Sequence, residues 1–210
     1  MTHVKICGLT TAETLDVALD YGATFVGAVM FARSPRDISP EDARPLFERA
    51  RGRAGIVAVT VDADDDLLSR LGAHLRPDFV QLHGRETVAR AHQVRTLTGA
   101  GIIKVLSVST ADDLAAAADW EDHVDHLMFD AKPPEGSVLP GGVGASFDWS
   151  MLKGRQFRKP WFLAGGLTPD NAAQAATISG APRLDVSSGV ETSPGVKDAA
   201  RIAAFLRAVV

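Results

Sequence analysis

The stretch that decides the fold lies near the start of the chain and reads His3-Val4-Lys5-Ile6-Cys7-Gly8-Leu9-Thr10. This short apolar run carries the only cysteine of the protein, stops at a glycine and is followed at once by a helical pattern. The order predicts a strand, a tight turn and a helix, with Cys7 at the carboxyl end of the strand. In proteins built from parallel strands, ligands bind and reactions occur at that end.

Two interpretations of Cys7 are open at this point. A lone cysteine is commonly a small hydrophobic residue of the core, and a buried structural thiol is chemically inert. A thiol at the carboxyl end of a strand can instead face a ligand. The remainder of the chain has to decide between the two.

The alternation of apolar runs and helical patterns continues to the end of the chain. Further runs have the near-continuous apolar character of buried parallel strands: Thr24 to Met30, Gly55 to Val61, Phe79 to Leu82, Ile102 to Leu106, His126 to Asp130, Trp161 to Ala164 and Leu184 to Val186. Helices are predicted between or after them: Thr11 to Tyr21, Ser39 to Arg51, Asp64 to Leu71, Glu86 to Leu97, Thr110 to Asp119, one opened by Thr168 to Asn171, and Lys197 to Val209.

Eight strand–helix units close naturally into a barrel. We therefore predict one domain of the α/β class over residues 1–210, a (β/α)8 TIM barrel. A doubly wound open sheet is the alternative, but Cys7-Gly8-Leu9-Thr10 lacks the glycine spacing of a dinucleotide-binding turn. The stretch from Lys132 to Gly144 is rich in proline and glycine and follows a strand, which indicates a loop of the site rather than a domain boundary.

Composition limits the partners and the compartment. The 210 residues are 46% hydrophobic and 23% charged, which is typical of a globular protein. The net charge of −4 offers no basic surface to nucleic acid or to an anionic membrane. A single cysteine excludes an internal disulfide and a multi-cysteine metal site, and it suits a reducing compartment. With no leader pattern and no long apolar run, a cytoplasmic protein is expected.

In a barrel, the loops that follow the strands meet on one face, whatever their distance in sequence. Polar residues at these strand ends are therefore candidate site residues: Lys5 and Cys7, Ser34-Pro35-Arg36, Gln81 and His83, Asp130 and Lys132, Gly165-Gly166, and Asp185 with Ser187-Ser188-Gly189. The set combines a thiol, carboxylic acids, an arginine and two glycine-bearing turns.

The two glycine-bearing turns indicate a phosphate site. Gly165-Gly166 follows the seventh strand, and Ser187-Ser188-Gly189 follows the eighth with room for a short helix start. Backbone amides at the amino end of a helix suit a dianion, and these two loops are the usual phosphate site of this barrel. Either turn could also be no more than tight, and the loop Gly141-Gly142-Val143-Gly144 could add amides or be flexible.

Cys7 and Asp130 are the candidates for proton transfer. A thiolate can take a proton from carbon, and the pKa of a thiol falls near a cation such as Lys5 or beside amide dipoles. Asp130 ends an apolar strand, where burial lets a carboxyl act as an acid, or it forms a turn. Arg36 could hold a planar carboxylate or be a solvated loop residue. His83 is more often structural than a base, Lys5 could also form a structural ion pair, and no cluster indicates a metal site.

The chain resembles the phosphoribosylanthranilate isomerase family of tryptophan biosynthesis at eight short motifs. They occur in family order and span nearly the whole chain: Lys5-Ile6-Cys7-Gly8-Leu9-Thr10, Ser34-Pro35-Arg36, Gln81-Leu82-His83-Gly84, Phe129-Asp130-Ala131-Lys132, Gly141-Gly142-Val143-Gly144 with Phe147-Asp148-Trp149, Leu163 to Asn171, Asp185 to Glu191, and Pro194 to Asp198. Each motif is short, and the set together is highly specific.

The resemblance implies a (β/α)8 barrel that converts N-(5-phosphoribosyl)anthranilate to 1-(2-carboxyphenylamino)-1-deoxyribulose 5-phosphate, an Amadori rearrangement without cofactor or metal. It implies that Asp130 is the general acid that protonates the ribose ring oxygen. It also implies that Cys7 is the general base that removes the proton from the second ribose carbon. Arg36 matches the residue that binds the anthranilate carboxylate, and Asp185 matches one that lines the anthranilate pocket. The implied phosphate site consists of Gly142, Gly144, Gly165, Gly166, Ser188 and Gly189.

The chain departs from the family pattern at several positions: Asp37 and Pro133-Pro134 look like ordinary loop variation, and two further departures lie within the motifs. Val143 stands where the family usually has threonine, and Ala131 stands where serine is common. Lys5, Gln81 and His83 stay possible site residues without an assigned role.

Two other functions fit parts of the pattern. One is a sugar-phosphate isomerase of the same barrel class that acts on the histidine-pathway ribonucleotide, although enzymes resembling that kind use two aspartates. The other is a silent sensor of phosphoribosyl ligands, which needs neither Cys7 nor Asp130. The expected partner is a small phosphoribosyl molecule, with no nucleic acid and no membrane, and the sequence leaves monomer and homodimer both open.

Overall fold

The computed structural model describes residues 2–137, 139–142 and 144–209. Eight parallel strands form a closed barrel in sequence order, with the last strand paired to the first. They are β1 His3–Cys7, β2 Phe25–Met30, β3 Gly55–Thr60, β4 Phe79–Leu82, β5 Gly101–Val108, β6 His126–Ala131, β7 Trp161–Leu163 and β8 Arg183–Val186. The predicted TIM barrel is confirmed, and the open sheet is ruled out by the pairing of β8 with β1.

Seven α-helices are present among the described residues: α1 Ala12–Asp20, α2 Pro40–Phe47, α3 Asp65–Arg70, α4 Val88–Thr98, α5 Ala117–Trp120, α6 Ala172–Ser179 and α7 Ala199–Val209. Their starts follow the local sequence signals. The Thr11 and Ser39 side chains accept backbone N–H groups at the starts of α1 and α2, and Pro40 is the first residue of α2. Thr110 forms a capping box with Asp113, and the helix that it opens is a 3₁₀ helix, Ala111–Ala116, that leads into α5.

The predicted start of α4 at Glu86 is wrong. The Glu86 carboxylate is buried, accepts the backbone N–H groups of Asp62 and Gly84, and pairs with Lys104 at 2.9 Å. Thr87 caps the helix instead, and α4 begins one residue later. By pattern alone, an acidic residue at this position is a favourable residue for the first turn of a helix. The actual role of Glu86 is apparent only from its pairing with Lys104.

The predicted start of the last helix at Lys197 is also wrong. Lys197 lies in a two-stranded antiparallel hairpin that the sequence did not indicate, made of β9 Glu191–Ser193 and β10 Val196–Lys197. The helix begins at Ala199, and the Asp198 carboxylate accepts the backbone N–H of Arg201 in its first turn. The hairpin follows the short 3₁₀ turn Ser188–Val190 after β8 and therefore lies beside the loops at the carboxyl ends of the strands.

Alternation along β1 turns its polar residues to the inside of the barrel. Val4 and Ile6 pack in the apolar layer between barrel and helices, whereas Cys7 belongs to the cluster inside the barrel. Lys5 is two residues from Cys7 and is completely buried against Asp185 of β8. Because successive side chains of a strand point to opposite faces, Lys5 and Cys7 share the interior face.

Aromatic rings close the amino-terminal end of the barrel. Phe25, Phe79 and His126 are each the first residue of a strand, and their rings meet edge to face at centroid distances of 4.9 to 6.1 Å. Phe162 of β7 packs against Phe25 and His126 from above. This packing leaves the carboxyl ends of the strands as the place for a ligand.

No helix in the described part of the chain is long and apolar enough to span a bilayer.

Candidate active site

One cavity at the carboxyl ends of the strands collects the candidate side chains that the sequence indicated for chemistry. Its lining includes Cys7 from β1, Arg36 from the loop after β2, Gln81 and His83 from β4 and its loop, Asp130 from β6 and Asp185 from β8. Residues more than a hundred positions apart in sequence therefore face the same space. Val29, Val59 and Phe31 supply an apolar wall that suits an aromatic ring.

Cys7 is buried beside the Lys5–Asp185 ion pair. The Lys5 Nζ donates to Asp185 Oδ1 at 2.8 Å. Burial is the largest influence on the Cys7 thiol and raises its pKa, while the Lys5 ammonium opposes that effect and the Asp185 carboxylate adds to it. Burial also acts to lower the pKa of Lys5, but the charges of Asp185 and Cys7 outweigh it, and the Lys5 pKa is raised. Lys5 is therefore a permanent cation next to the thiol.

Asp130 is the residue before the last one of β6, and its carboxylate has one hydrogen-bonded oxygen and one that faces His83. The Oδ1 atom accepts the backbone N–H of Ala131 at 2.8 Å. The Oδ2 atom lies 3.4 Å from the Nε2 of His83. Both side chains are largely buried, with 9% and 13% of their surface exposed. The Oδ2 atom is the oxygen through which Asp130 can exchange a proton with a ligand in the cavity.

Arg36 is buried at the rim of the cavity, and most of its donors are already bound. Its Nε and Nη2 donate to the two carboxylate oxygens of Glu191 at 2.7 and 2.8 Å, and Nη2 also donates to the Gly142 carbonyl at 3.1 Å. The resemblance implied that Arg36 binds the carboxylate of the substrate. Because Glu191 occupies that fork, Nη1 is the guanidinium nitrogen without a hydrogen bond to the described residues.

A second cavity adjoins the first and is lined mainly by backbone and small residues. It holds every residue that the resemblance implied for phosphate, and it shares Asp130, Asp185 and the start of the glycine loop with the first cavity: the phosphate candidates are Gly142, Gly144, Gly165, Gly166, Ser188 and Gly189. Ser188–Val190 forms the short 3₁₀ turn that the sequence allowed for. Backbone N–H groups at such a turn suit a dianion.

Gly189 lets the loops after β7 and β8 touch. A Cβ atom at this position would lie 1.8 Å from the carbonyl oxygen of Leu167. No side chain can be accommodated at that distance without separating the two loops. Close contact between these loops brings residues of both, Gly165–Leu167 and Ser187–Gly189, into the lining of the second cavity.

Comparison with known proteins agrees with this geometry. The sequence profile of the family described as N-(5'phosphoribosyl)anthranilate (PRA) isomerase matches residues 4–208. The chain belongs to this family. A curated N-(5'-phosphoribosyl)anthranilate isomerase of Caulobacter sp. strain K31 is 55% identical over 210 residues, covering 100% of this chain and 99% of the relative. That of Rhizobium meliloti strain 1021 is 49% identical and covers 99% of this chain and 97% of the relative.

Solved structures of phosphoribosyl anthranilate isomerases share the fold. The crystal structure from Thermotoga maritima has a TM-score of 0.87 and 33% identity, covering 99% of this chain and 98% of that one. A phosphoribosyl anthranilate isomerase solved in complex with reduced 1-(o-carboxyphenylamino)-1-deoxyribulose 5-phosphate has a TM-score of 0.84 and 31% identity, covering 99% and 97%. The chain is thus an isomerase with the barrel of this family.

Gln81 and His83 also lie in the isomerase cavity, where the sequence could give them no role. Gln81 is 1% exposed on the inner face of β4, and its Oε1 has no hydrogen-bond partner among the described residues. The Nε2 of His83 is likewise buried without a well-aligned partner. Lys132 does not line either cavity described above. Val143 of the glycine loop lies outside the described residues.

Sequence reasoning missed two charged residues of this isomerase, Glu191 and Lys197. Lys197 Nζ donates to Glu191 Oε1 at 2.5 Å and to the Ser187 carbonyl at 2.9 Å. Burial is the largest influence on Lys197 and lowers its pKa, whereas the Arg36 and Lys197 cations outweigh burial at Glu191 and hold the pKa of that carboxyl below its usual value. Both residues lie within motifs shared with the family, and this was the only sequence signal that could have indicated them.

The described residues contain no group of three or more His, Cys, Asp or Glu side chains placed to hold a metal ion.

Proposed function

We propose that the chain converts N-(5'-phosphoribosyl)anthranilate to 1-(2-carboxyphenylamino)-1-deoxyribulose 5-phosphate, with Asp130 as general acid and Cys7 as general base. One observation supports this most: a carboxyl group and a thiol from opposite parts of the sequence face one cavity that continues into a backbone-lined anion site. Family membership adds that the relatives carry the same activity in their names.

The substrate's three parts are assigned to three parts of the site. The phosphate binds in the second cavity, against the backbone of Gly144, Gly165–Gly166 and Ser188–Gly189. The aromatic ring lies on the apolar wall of the first cavity beside Asp185. The carboxylate on that ring meets Arg36 through Nη1, the nitrogen that Glu191 leaves free. This arrangement puts the ribose between Asp130 and Cys7.

The reaction then needs one acid and one base. Asp130 gives its proton to the ribose ring oxygen; the C1–oxygen bond breaks as the nitrogen lone pair forms a C1=N double bond, which leaves an open-chain iminium. The iminium acidifies the neighbouring C2–H bond. The Cys7 thiolate removes that proton, and the bonding pair forms the C1=C2 bond of an enolamine as the nitrogen regains its lone pair. Return of a proton to C1 and loss of the enol proton give the ketone.

The environment of Cys7 favours formation of the thiolate at the step at which the substrate ring opens. In the free site, burial raises the pKa of the thiol. Lys5 is a buried cation next to it, and the substrate iminium adds a second positive charge on the other side. Because a thiolate is favoured by nearby cations, ring opening itself promotes ionisation of the base. A free thiol at this position also suits the cytoplasm, where thiols stay reduced; the chain acts there as a monomer or a homodimer.

The test is a fluorescence assay with freshly generated phosphoribosylanthranilate, run on the wild type and on Cys7→Ala and Asp130→Asn. We expect each variant to lose roughly a hundredfold to ten-thousandfold in kcat, while both still bind the reduced product analogue. Near-normal turnover in either variant would remove that residue from its role. A wild type that binds the analogue without consuming substrate would favour a sensor, and consumption of the histidine-pathway ribonucleotide alone would favour the other isomerase.

A further inference from the structure

Arg36, Glu191 and Lys197 form a buried ion cluster at the rim of the cavity. The side chains are 6%, 3% and 2% exposed. Glu191 binds Arg36 at 2.7 Å on one side and Lys197 at 2.5 Å on the other. The cluster therefore holds two positive charges and one negative charge away from water.

This surplus distinguishes the cluster from the other buried ion pairs in the described residues. Lys5 pairs with Asp185 at 2.8 Å and Lys104 pairs with Glu86 at 2.9 Å, and each of those pairs is balanced. An uncompensated buried charge is costly, because the protein interior solvates it poorly. A site that keeps one is prepared for a ligand of the opposite charge.

We infer that Glu191, held by Lys197, is the positioning residue for Arg36, and that the carboxylate of the substrate supplies the negative charge that the cluster lacks. The inference rests on the proposed function, since it concerns the same carboxylate. Neither Glu191 nor Lys197 lies where it would touch the reacting carbons. Their effect reaches the substrate through the guanidinium.

The orientation of Arg36 follows from how Glu191 binds it. The paired contacts from Nε and Nη2 to one carboxylate fix the plane of the guanidinium, because both bonds need the same plane. The contact from Nη2 to the Gly142 carbonyl uses a further donor. Nη1 is thereby the nitrogen left for the ligand. Without Glu191, the side chain could rotate and present any of its donors.

The hairpin after β8 is the element that holds the two supporting charges together. Glu191 is the first residue of β9 and Lys197 the last of β10, and they are paired residues across the two strands. Side chains directly opposite each other in an antiparallel pair are close enough to form an ion pair. Lys197 also donates to the Ser187 carbonyl, which ties the hairpin to the loop beside Cys7.

The experiment measures the affinity of two ligands that differ only by the carboxyl group. The first is reduced 1-(2-carboxyphenylamino)-1-deoxyribulose 5-phosphate, and the second is the same compound made from aniline. Each is titrated by calorimetry into the wild type, Glu191→Gln, Arg36→Ala and the double variant. Asp16→Asn is the matched control, because it removes the carboxylate partner of an exposed arginine, Arg49.

We expect Glu191→Gln to weaken the carboxyl-bearing ligand by roughly tenfold or more, because loss of the fixed guanidinium plane outweighs the second positive charge that the variant leaves unpaired, and to leave the aniline compound within about twofold. The double variant should bind no more weakly than Arg36→Ala, because Glu191 acts through Arg36. Asp16→Asn should match the wild type with both ligands. A Glu191→Gln protein that weakens both ligands equally, or an effect that adds to that of Arg36→Ala, would overturn the inference.

A second variant keeps the test decisive if Glu191→Gln fails to fold. Lys197→Met leaves Arg36 and Glu191 as a balanced pair, so the affinity for the carboxyl-bearing ligand should fall while that for the aniline compound holds; equal affinities in Lys197→Met and the wild type would refute the charge argument. These binding results do not depend on turnover. Absence of catalysis with the expected binding pattern would therefore reject the proposed reaction and retain the role of Glu191.

Discussion

Lys5 Nζ donates a 2.8 Å hydrogen bond to Asp185 Oδ1 inside the barrel, where Lys5 has no exposed surface. The pair joins the first and last strands of the barrel, since Lys5 and Asp185 are paired residues of β1 and β8. It also places a fixed positive charge beside Cys7, whose pKa is raised by burial and lowered by this cation. The ion pair thus contributes to closure of the barrel, and its two members act on the thiol in opposite directions: Lys5 favours the thiolate and Asp185 disfavours it.

Replacing Lys5 by methionine should affect both roles. The carboxylate of Asp185 would be buried without a partner, and breaking a buried pair in this way costs about 3–5 kcal/mol of the free energy of unfolding. The pKa of Cys7 should rise further, so that less thiolate exists near neutral pH and the rise of kcat/KM with pH moves to more alkaline pH. Urea unfolding and the ultraviolet absorbance of the thiolate across pH measure the two effects.

The double variant Lys5→Met/Asp185→Asn separates these effects. Removing both charges should recover much of the lost stability, because no unpaired charge stays buried. Loss of the Lys5 cation raises the Cys7 pKa, and loss of the Asp185 carboxylate lowers it. The Cys7 pKa of the double variant should therefore lie closer to that of the wild type than the Cys7 pKa of Lys5→Met does. If Lys5→Met shows the same thiol titration as the wild type, Lys5 has no part in the ionisation of Cys7.

The strands could be predicted from the sequence because each is a local, near-continuous apolar run. Phe79–Leu82 agrees with its prediction at both ends, and the others differ by one or two residues. The hairpin of β9 and β10 could not be predicted in this way. It is short and polar, its Val196 is 54% exposed, and it is held by the pairing of Glu191 with Lys197 rather than by apolar alternation.

The site shows the same division between local and distant information. Barrel topology alone brings Cys7, Asp130 and Arg36 to one face, so their common cavity could be predicted once eight strands were counted. The partner of Arg36 is 155 residues away in sequence. Nothing in the residues around Arg36 reveals its contact with Glu191, and for that reason the sequence left a carboxylate-binding arginine and a solvated loop arginine both open.

Replacement of Gln81 by methionine should raise the stability of the protein and lower its activity. Its side chain is buried, and its Oε1 lacks a partner in the described part of the chain. An unsatisfied buried polar atom costs about 1–3 kcal/mol, so Gln81→Met should unfold at a higher urea concentration. If the amide binds substrate, kcat/KM should fall roughly tenfold, as expected when one hydrogen bond of about 1.4 kcal/mol is lost.

The control for Gln81 is Gln174→Met, at an exposed position of α6. This variant should change the free energy of unfolding by no more than about 0.5 kcal/mol, and it should leave kcat/KM unchanged. A Gln81→Met protein that is both more stable and fully active would show that the amide is a structural residue of the barrel interior with no contact to substrate.

Gly141 places the glycine loop directly on the proposed acid. A Cβ atom there would lie 2.6 Å from Asp130 Oδ2 and 2.5 Å from the Cε1 of His83. Gly141→Ala should therefore displace either the loop or the Asp130–His83 pair, and a shift of about 1 Å in a reacting group can lower kcat by roughly a hundredfold. Steady-state kinetics together with thermal unfolding give the result.

Gly136→Ala is the matched control for Gly141, because it lies in the same connection between β6 and β7 with nothing within 4 Å of the added methyl group. Its φ of +81° adds a backbone strain of about 1 kcal/mol, so it is the more demanding substitution for the loop itself. Equal losses of kcat in the two variants would mean that loop conformation, and not contact with Asp130, controls the activity.

His126 should make the protein acid-sensitive from the end of the barrel opposite the site. Burial is the main cause that lowers the pKa of His126 to about 4; Arg183 and Lys159 act in the same direction, and Asp125 opposes them. The unfolded chain has an ordinary histidine pKa near 6.5. Between these two values the unfolded state binds a proton that the folded state does not, so stability falls as the pH drops through this window.

The difference of about 2.5 pH units corresponds to at most about 3.4 kcal/mol of the free energy of unfolding. His126→Phe should fit among Phe25, Phe79 and Phe162 and remove this proton uptake, which flattens the decline of stability between neutral pH and about pH 4. Urea unfolding at a series of pH values measures the slope, with His3→Gln as the exposed control. Turnover at neutral pH should be unchanged, and an acid slope equal to that of the wild type would contradict a neutral buried His126.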